Sequence, residues 1–328
     1  MSAQDRTLDQ YQELMNINAV AHLIRAAREL CIFDRLLQGQ HTALQLQQEL
    51  SWQPEPAGLL LDALVAIGII EQYGDDYALS QSARLLCQYD DDLGDGRWSQ
   101  LVDCVRGNRE RGEPQDDGEE DQQYFDSIAA TQWIHTPAAI QAAEVLDIGG
   151  DDAESGLRIL DIGCGSAVWS CAMAHRDGAA TMTWVDHPGA LEASLMTAAS
   201  IGLDDRVTMI KSDPSQFSVP AESFDLVLLA QRLSALGPEA ADALLAKAVD
   251  ATAPGGRVVV IDEFRAPGRP NLAEAIGALK LELGTTSGRM RTLEEAKNQL
   301  ESQQLQQVQF TFLAASRVGL GLAVGVKP

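Results

Sequence analysis

The sequence predicts an α/β protein that combines a mostly helical first half with a parallel sheet in its second half. Apolar residues recur at helical spacing from Leu8 to Leu37, which is typical of one long helix or of a broken pair. After residue 151, strand-like and helical segments alternate, as they do in a parallel sheet with helical crossovers. A length of 328 residues favours two domains rather than one.

Three further elements complete the first half. Thr42 can cap a short helix, a proline-led apolar helix starts near Pro54, and IIEQYGDDYALS predicts a hairpin that turns at Gly74. Helices followed by a hairpin in this order are typical of a winged helix. Residues 56–68, at the position of a recognition helix, contain no Lys or Arg. Because DNA binding needs cations, we expect no nucleic-acid partner and a role in self-association instead.

The second half contains five candidate parallel strands and a closing antiparallel pair. The parallel candidates are LRILDIG, ATMTWVD, RVTMIKSD, FDLVLLA and GGRVVVIDE, and the closing pair is VQFTFLA with GLGLAVGVKP. Between the halves lies a stretch that we interpret as an acidic connector with linking helices. The predicted division is therefore 1–105, 106–150 and 151–328.

Composition and cysteine usage indicate a cytoplasmic protein. The five cysteines include no C-x-x-C pair, which is typical of reduced thiols. The N-terminus has no basic segment followed by an apolar run, so no signal peptide is expected. No apolar stretch approaches the ~20 residues of a membrane span, and the net charge of −24 opposes binding to anionic lipid. The five histidines lack metal-ligand spacing, so no metal is expected.

A glycine-containing loop follows the first strand of the second half. In LDIGCGSAVWS, Asp161 ends the strand and Gly163 and Gly165 lead into a helix, which would place backbone N–H groups beside a bound ligand. Glycine is required where a Cβ would block close approach. A dinucleotide fingerprint would have a third glycine at Val168, so the variant favours a nucleoside without a pyrophosphate. An ordinary tight turn is the alternative.

Two more acids follow the next two strands. Asp186 ends WVD, 25 positions after Asp161, near the offset of an acid that holds ribose hydroxyls. Asp213 closes the third strand in KSDP and could reach an adenine amino group. The alternatives are a helix N-cap for Asp186 and an Asp-Pro turn for Asp213. All three acids come at carboxyl ends of strands, where open α/β sheets bind ligands.

Taken together, these motifs resemble the small-molecule S-adenosylmethionine (SAM)-dependent O-methyltransferases that carry an N-terminal dimerisation domain, such as plant caffeate and bacterial polyketide enzymes. The motifs are LDIGCGS, WVDHP, RVTMIKSDP, FDLVLLAQRL, APGGRVVVIDEF, SGRMRTLEEAKNQLE and GLAVGVKP, and AVAHLIRAARELCIFDRL is similar to the family's dimer-forming helix. The resemblance implies a Rossmann-like, seven-stranded class I methyltransferase domain behind a mostly α winged-helix dimerisation domain. It also implies SAM as cofactor, a small hydroxylated aromatic or polyketide-like substrate, and a homodimer.

The resemblance further implies roles for single residues. The expected cofactor-binding set lines the methionine, ribose and adenine parts of SAM, and consists of Asp161, Gly163, Gly165, Asp186, His187, Asp213, Pro214 and Gln231. The chain departs from the family at Ala167, where a third glycine is usual, and we expect binding to survive this small change.

A second departure concerns the catalytic base. The family usually has a histidine where this sequence has Ser234, and a neutral serine is a poor base near pH 7. The acid that orients that histidine is matched by Asp262 or its neighbour Glu263. The substrate hydroxyl could already be acidic, His135 or Tyr124 could serve as base, or the reaction could be changed or lost. The last possibility keeps C-methylation, N-methylation and a non-methylating use of SAM open.

Two alternative functions belong to other classes of protein. A nicotinamide-dependent oxidoreductase is opposed by Val168 at the third fingerprint position. A winged-helix transcription regulator is opposed by the acidic chain and the uncharged segment 56–68.

Overall fold

The computed structural model describes residues 3–89, 94–108, 118–151 and 153–328. Their contacts divide the chain into two units, Met1–Asp95 and Gly96–Pro328. The predicted three-part division into 1–105, 106–150 and 151–328 stays a prediction. Most of the charge run expected for the connector, at residues 109–117, lies outside the described residues.

The first unit consists of five helices and a small sheet. Its elements are α1 (Ala3–Glu29), α2 (Ile32–Gln38), β1 (His41–Thr42), α3 (Ala43–Glu49), α4 (Pro54–Ala66), β2 (Ile70–Tyr73), β3 (Asp76–Leu79) and α5 (Gln81–Tyr89). The three strands pair antiparallel in the order β1-β3-β2. The predicted cap at Thr42 forms a capping box with Gln45. The hairpin turns at Gly74, whose φ is +65°, as the sequence predicts.

The long helical pattern at the start of the chain is a pair of helices. Cys31, with φ +58°, separates α1 from α2 in a left-handed conformation. Ile32 and Leu36 of α2 are fully buried together with Leu46, Leu61 and neighbouring apolar residues. Much of α1, by contrast, is exposed, and its large apolar side chains without cover are Leu8, Tyr11, Leu14, Met15 and Ile17.

The second unit alternates helices and strands. It contains α6 (Asp95–Trp98), α7 (Leu101–Arg106), α8 (Gly118–Thr131), α9 (Thr136–Val145), β4 (Arg158–Ile162), α10 (Val168–Arg176), β5 (Thr181–Asp186), α11 (Pro188–Ser200), β6 (Val207–Lys211), β7 (Phe224–Ala230), α12 (Pro238–Ala251), β8 (Thr252–Arg265), α13 (Leu272–Gly284), β9 (Arg291–Thr292), α14 (Leu293–Ser302), β10 (Gln306–Phe312) and β11 (Leu320–Val326). Short 3₁₀ helices span Gln132–His135, Asp204–Arg206 and Leu233–Ala235.

One large sheet organises this unit, in the order β10-β11-β8-β7-β4-β5-β6, with β9 pairing with β8. The neighbours from β8 to β6 pair parallel, and β11 pairs antiparallel with both β8 and β10. Residues of β4 alternate between two cores: Ile159 packs with Trp169 on one face, and Leu160 packs with Leu244 on the other. The predicted Rossmann-like fold class is confirmed, with seven strands on the main path.

The topology brings the carboxyl ends of the five parallel strands, β4 to β8, to one edge of the sheet. Strand β4 lies between β5 and β7, so the chain changes direction there, at the kind of switch point where open α/β sheets bind ligands. Ile162 lies beside Val185 in register, and the N–H of Gly163 donates to the Val185 carbonyl at 2.8 Å. The loop after β4 therefore runs next to Asp186 at the end of β5.

None of the helices in the described ranges combines the length and the apolar character that crossing a membrane would require.

Candidate active site

The loop between β4 and α10 has the backbone conformation that glycine favours. Gly163 has φ +70° and Gly165 has φ +57°. A Cβ on Gly163 would lie 2.9 Å from the Cδ and Nε atoms of Arg232, and one on Gly165 would lie 2.9 Å from Gln132 Oε1. The side chains of Arg232 and Gln132 occupy the space that a larger residue would need. Both positions therefore require glycine, because of this lack of space and because of their positive φ.

Two other residues of this loop differ from glycine. Ala167 adopts φ +56° at the N-cap of α10, a conformation that costs a non-glycine residue about 1–2 kcal/mol. This strain gives a physical reason for the glycine that the resemblance leads us to expect there. Cys164 is 1% exposed, and burial raises the pKa of its thiol well above the ordinary value. Its sulfur lies 3.8 Å from Ser194 Oγ.

Asp186 braces the loop with its carboxylate. Its Oδ2 accepts the N–H of Gly165 at 2.9 Å, and its Oδ1 accepts the N–H of His187 at 2.8 Å. His187 is the N-cap residue of α11, and its side chain makes no capping bond. Because each carboxylate oxygen can accept two hydrogen bonds, Asp186 keeps capacity for the two hydroxyls of a ribose.

Asp161 lies beneath the loop and is fully buried. Its Oδ2 accepts the hydroxyl of Ser170 at 2.6 Å, and that hydroxyl accepts Trp184 Nε1 at 3.1 Å. Its Oδ1 is buried without a hydrogen-bond partner. Burial raises the pKa of Asp161 to about 7, and the negative charge of Asp186 acts in the same direction. Asp161 thus holds a proton near neutral pH more readily than an exposed aspartate would.

Asp213 and Pro214 follow β6 at the same edge of the sheet. Asp213 is exposed, and its Oδ1 accepts the N–H of Ser215 at 2.6 Å, while Pro214 is buried. Although burial opposes ionisation, hydrogen bonds from Ser215 hold the pKa of Asp213 below its usual value. The positive charges of His187 and Arg232 lower this pKa further. Asp213 therefore forms part of the turn and remains available as an acceptor.

Gln231 and His135 meet at the end of β7. Gln231 has φ +53°, and its Nε2 lies 3.3 Å from His135 Nε2, so one of the two nitrogens donates. The Oε1 atom of Gln231 is buried without a hydrogen-bond partner. His135 is 6% exposed and stacks on Trp169 at 6.0 Å between ring centroids. Burial lowers the pKa of His135 to about 4, so the imidazole is neutral at pH 7.

A small cavity, of about 10 Å³, brings together four residues of the predicted cofactor set. Gly163, Gly165, Asp186 and Gln231 line it together with Arg232. The carboxylate of Asp186 suits the ribose of an adenosyl group, whereas the side chains of Arg232 and Gln132 occupy the space beside the two glycines. Asp161 and Asp213 do not line the cavity: the first supports the loop from below and the second follows the neighbouring strand.

Ser234 and Asp262 face each other and line a separate small cavity. The Ser234 hydroxyl donates to Asp262 Oδ1 at 2.5 Å, and the Ser234 N–H donates to Oδ2 at 2.8 Å. Asp262 also accepts the N–H of Glu263 at 3.1 Å. Burial raises the pKa of Asp262, and these bonds counteract the rise. Asp262, the acid that would orient a histidine, is thus hydrogen-bonded by Ser234 instead. The hydroxyl proton of Ser234 is used in this hydrogen bond.

Glu263 has a different environment from Asp262. Its Oε2 is buried without a hydrogen-bond partner, close against Gly277 of α13. Burial raises the pKa of Glu263 to about 7, and the charge of Asp262 adds to the rise while Lys280 opposes it. Glu263 also lines a cavity of about 410 Å³ together with Glu274 and Met290.

Tyr124, the other candidate base, remains protonated. Burial raises its pKa, and the negative charges of Asp262 and Glu263 raise it further. Its ring packs edge-on against Phe125 at 5.8 Å between centroids. A tyrosine that loses its proton less readily than usual is a poor base, so Tyr124 fits a role in the wall of the site.

The structure adds two residues that the sequence analysis missed. Gln132 Oε1 accepts the N–H of Ser166 at 2.9 Å and the hydroxyl of Ser166 at 3.0 Å, which ties α8 and its 3₁₀ extension to the glycine loop. Arg232 is 7% exposed and stacks over Phe125. A single arginine between the apolar runs FDLVLLA and LSAL was a usable signal for Arg232, whereas nothing in the sequence singles out Gln132.

Within the described part of the chain, no group of three or more His, Cys, Asp or Glu side chains is arranged to hold a metal ion.

Comparison with known proteins agrees with this geometry. Residues 159–256, from β4 into β8, match the family described as "Methyltransferase domain". The L-tyrosine C(3)-methyltransferase of Streptomyces lavendulae is 33% identical over 121 residues, which are 37% of this chain and only 31% of that protein. The aclacinomycin 10-hydroxylase RdmB of Streptomyces purpurascens is 26% identical over 296 residues, 83% of this chain and 77% of that protein.

Solved structures match over the whole chain. The mitomycin 7-O-methyltransferase MmcR superposes with a TM-score of 0.71 at 19% identity, covering 99% of both chains. Human N-acetylserotonin methyltransferase in complex with SAM gives a TM-score of 0.71 at 18% identity, covering 100% of this chain and 98% of the other. These findings agree with the resemblance: residues 159–256 match a methyltransferase domain, and the chain shares the fold of these methyltransferase structures.

Proposed function

We propose that the protein transfers a methyl group from SAM to a hydroxyl of a small aromatic or polyketide-like molecule. The observation that carries this proposal is the glycine loop, braced by Asp186, beside a cavity at the switch point of the sheet. When bound, SAM would supply a methyl group on a sulfonium, which is a strong electrophile. The domain match and the SAM-bound human neighbour support this choice of cofactor.

Residues of this chain would bind the cofactor from three sides. Gly163 and Gly165 have no side chain of their own that would block an approaching ligand, and Asp186 would accept the ribose hydroxyls. Asp213 and Pro214 stand on the adenine side. Correct alignment of a hydroxyl with the methyl group could supply up to ~7–11 kcal/mol of the barrier reduction, so positioning is the main task of the protein.

Glu263 is the residue best suited to act as the general base that accepts the proton of the substrate hydroxyl. The hydroxyl of Ser234 is committed to Asp262, and the low pKa of His135, about 4, makes it a weak base. The pKa of Glu263, about 7, lies near the operating pH, which is where general-base catalysis is most efficient.

A second candidate function is a changed reaction on the same cofactor, with methylation of carbon or nitrogen or no methyl transfer at all. The contact between Ser234 and Asp262 favours it, because the usual histidine is missing and its acid is already satisfied. The names of the two curated relatives, a C-methyltransferase and a hydroxylase, also support this alternative.

The first unit would serve as a winged-helix dimerisation domain in a homodimer. Its order of helices and hairpin fits that domain, and the exposed apolar residues of α1 offer a surface for a second copy. Helix α4, Pro54–Ala66, has no Lys or Arg, so DNA is not a partner in this proposal. A cytoplasmic location remains a prediction from the cysteine pattern.

Calorimetry followed by product analysis tests the proposal. We expect heat of binding with SAM and with S-adenosylhomocysteine (SAH), and none with NAD. Protein incubated with methyl-labelled SAM and a panel of phenols, naphthols and hydroxyanthraquinones should then yield O-methyl ethers. Binding without O-methylation, or with label on carbon or nitrogen, would favour the second candidate. A folded protein that binds neither SAM nor SAH would overturn both.

A further inference from the structure

One face of helix α8 and its 3₁₀ extension lies directly on the glycine loop. Phe125, Ala129 and Gln132 are spaced at i, i+4 and i+7, so they share this face of the helix. A Cβ on Gly165 would lie 2.9 Å from Gln132 Oε1 and 3.3 Å from the Cα of Ala129. The backbone of α8 itself therefore reaches the loop, and we call Phe125, Ala129 and Gln132 the covering face.

Gln132 binds a backbone donor of the loop. Its Oε1 accepts the N–H of Ser166 at 2.9 Å and the hydroxyl of Ser166 at 3.0 Å, and Gln132 is only 1% exposed. The N–H groups of Gly163 and Gly165, by contrast, donate to residues of β5. The loop is thus fixed to the sheet, whereas the N–H of Ser166 is held by a side chain from another element, which a different acceptor can replace.

Phe125 reaches the other end of the loop through Arg232. The Cζ of Arg232 lies 3.4 Å from the centroid of the Phe125 ring. The side chain of Arg232 in turn lies against Gly163, where a Cβ would be 2.9 Å from its Cδ and Nε. The covering face therefore contacts the loop directly at Gly165 and Ser166 and indirectly at Gly163.

The space under the covering face is too small for a nucleoside. The cavity that Gly163, Gly165 and Asp186 line has a volume of about 10 Å³, which is room for one water molecule. Pockets that bind small ligands and cofactors have volumes of about 300–1,000 Å³. Because β4 and β5 are paired neighbours and the loop is bonded to β5, the covering face is the part that has to move when a ligand enters.

We propose that α8 is a displaceable cover on the glycine loop, and that Gln132 competes with the ligand for the N–H of Ser166. This inference rests on the proposed function, because the ligand is the adenosyl cofactor that Asp186 would hold. The ligand binds only after Gln132 has released Ser166. The observed association constant is therefore that of the open form multiplied by the fraction of molecules that are open. A substitution that weakens the cover strengthens binding, which is opposite to the effect of losing a residue that contacts the ligand.

Calorimetry of SAH binding to Gln132→Ala tests the proposal. We expect this variant to bind SAH about 5- to 30-fold more tightly than the wild type, because two hydrogen bonds that hold the cover in place are lost. Gln132→Glu keeps an oxygen that accepts both bonds and should gain no affinity. Gln123→Ala is the matched control, since Gln123 is exposed on the same helix, and its affinity should change by less than about twofold.

Hydrogen–deuterium exchange measures the cover without any ligand. The peptide that contains Ser166 should exchange faster in Gln132→Ala than in the wild type, and at the wild-type rate in Gln123→Ala. Circular dichroism establishes that each variant is folded. Gln132→Met, which fills a similar volume without an acceptor, serves if Gln132→Ala does not fold.

Three outcomes would overturn the inference. If Gln132→Ala binds SAH more weakly than the wild type, Gln132 contacts the ligand instead of competing with it. If affinity and exchange both stay at their wild-type values, the contact with Ser166 does not limit access to the loop. If the folded wild type and Gln132→Ala bind neither SAM nor SAH, the proposed function itself fails and the competition fails with it, a result that neither of the other two outcomes produces.

Discussion

Ser234 holds both oxygens of the Asp262 carboxylate, one through its backbone N–H at 2.8 Å and one through its hydroxyl at 2.5 Å. The pair occupies the position where the resembling family places a histidine and its orienting acid. The short side chain reaches the acid, and its hydroxyl, which donates to Asp262, is not available to accept a substrate proton. This arrangement explains how the acid remains in a site whose usual base is absent.

Replacing Ser234 by histidine should restore a base to this position. We expect Ser234→His to raise the rate of O-methylation of a simple phenol by ~10²–10⁴, because Asp262 is already placed to orient the imidazole. Label transfer from methyl-labelled SAM measures the rate. Ser234→Ala is the control, since it removes the same hydroxyl without adding a base. Equal rates for the two variants would contradict the prediction.

Glu263 should make the stability of the protein depend on pH. Its folded-state pKa, about 7, lies above the ordinary 4.5, so its contribution is fully present below pH 4.5 and is lost as the pH rises through 7. Glu263→Gln mimics the protonated form. We expect the variant and wild type to have similar free energies of unfolding at pH 4.5, and the variant to be ~1–3 kcal/mol more stable at pH 8.

Urea unfolding of wild type and Glu263→Gln at several pH values measures this difference. A gap between the two proteins that is the same at pH 4.5 and pH 8 would mean that the carboxyl does not titrate between them.

Gly165→Ala should damage the loop in two ways, by strain and by a steric clash. A Cβ there would lie 2.9 Å from Gln132 Oε1, at a backbone φ of +57°. Gly255→Ala is a matched control, because Gly255 has φ +77° and no atom within 4 Å of a built Cβ. We expect the control to lose about 1–2 kcal/mol of stability and to keep its affinity for SAH. Gly165→Ala should lose at least about tenfold in affinity as well, as measured by calorimetry, and an unchanged affinity would argue against ligand binding at this loop.

The apolar surface of α1 should be required for self-association. Leu14 is 61% exposed and Ile17 is 57% exposed, so a charge at either position leaves the folded unit intact. We expect wild type to have twice the chain mass in light scattering, and Leu14→Glu combined with Ile17→Glu to have the mass of one chain. Leu59→Glu on α4, where Leu59 is 68% exposed, is the control and should remain dimeric. A wild-type protein with the mass of one chain would refute the homodimer.

Much of the fold could be predicted from the sequence because its signals are local. Strands β4 and β7 are buried on both faces and appear in the sequence as apolar runs. The hairpin between β2 and β3 follows from the turn at Gly74. The glycine loop could be recognised because Gly163 and Gly165 have to adopt positive φ.

The contacts within the site were not predictable in the same way, because they join distant segments. Gln132 meets Ser166 across 34 positions, and Ser234 meets Asp262 across 28. Arg232 contacts Gly163 only because β7 and β4 are neighbours in the sheet. Sequence patterns identify the residue types at strand ends, whereas the pairing of those residues follows from the packing.

Cys164 lies between the two glycines of the loop, so the rate at which its thiol is modified can report on motion of this loop. A thiol that is 1% exposed can react with a reagent such as dithionitrobenzoate only during moments when the loop moves outward. We expect Cys164 to be modified slowly, at a rate that reports how often the loop opens, and peptide mass mapping would separate it from the exposed Cys31. A ligand bound against the loop should slow the modification of Cys164. The modification rate would therefore measure ligand occupancy without requiring catalysis.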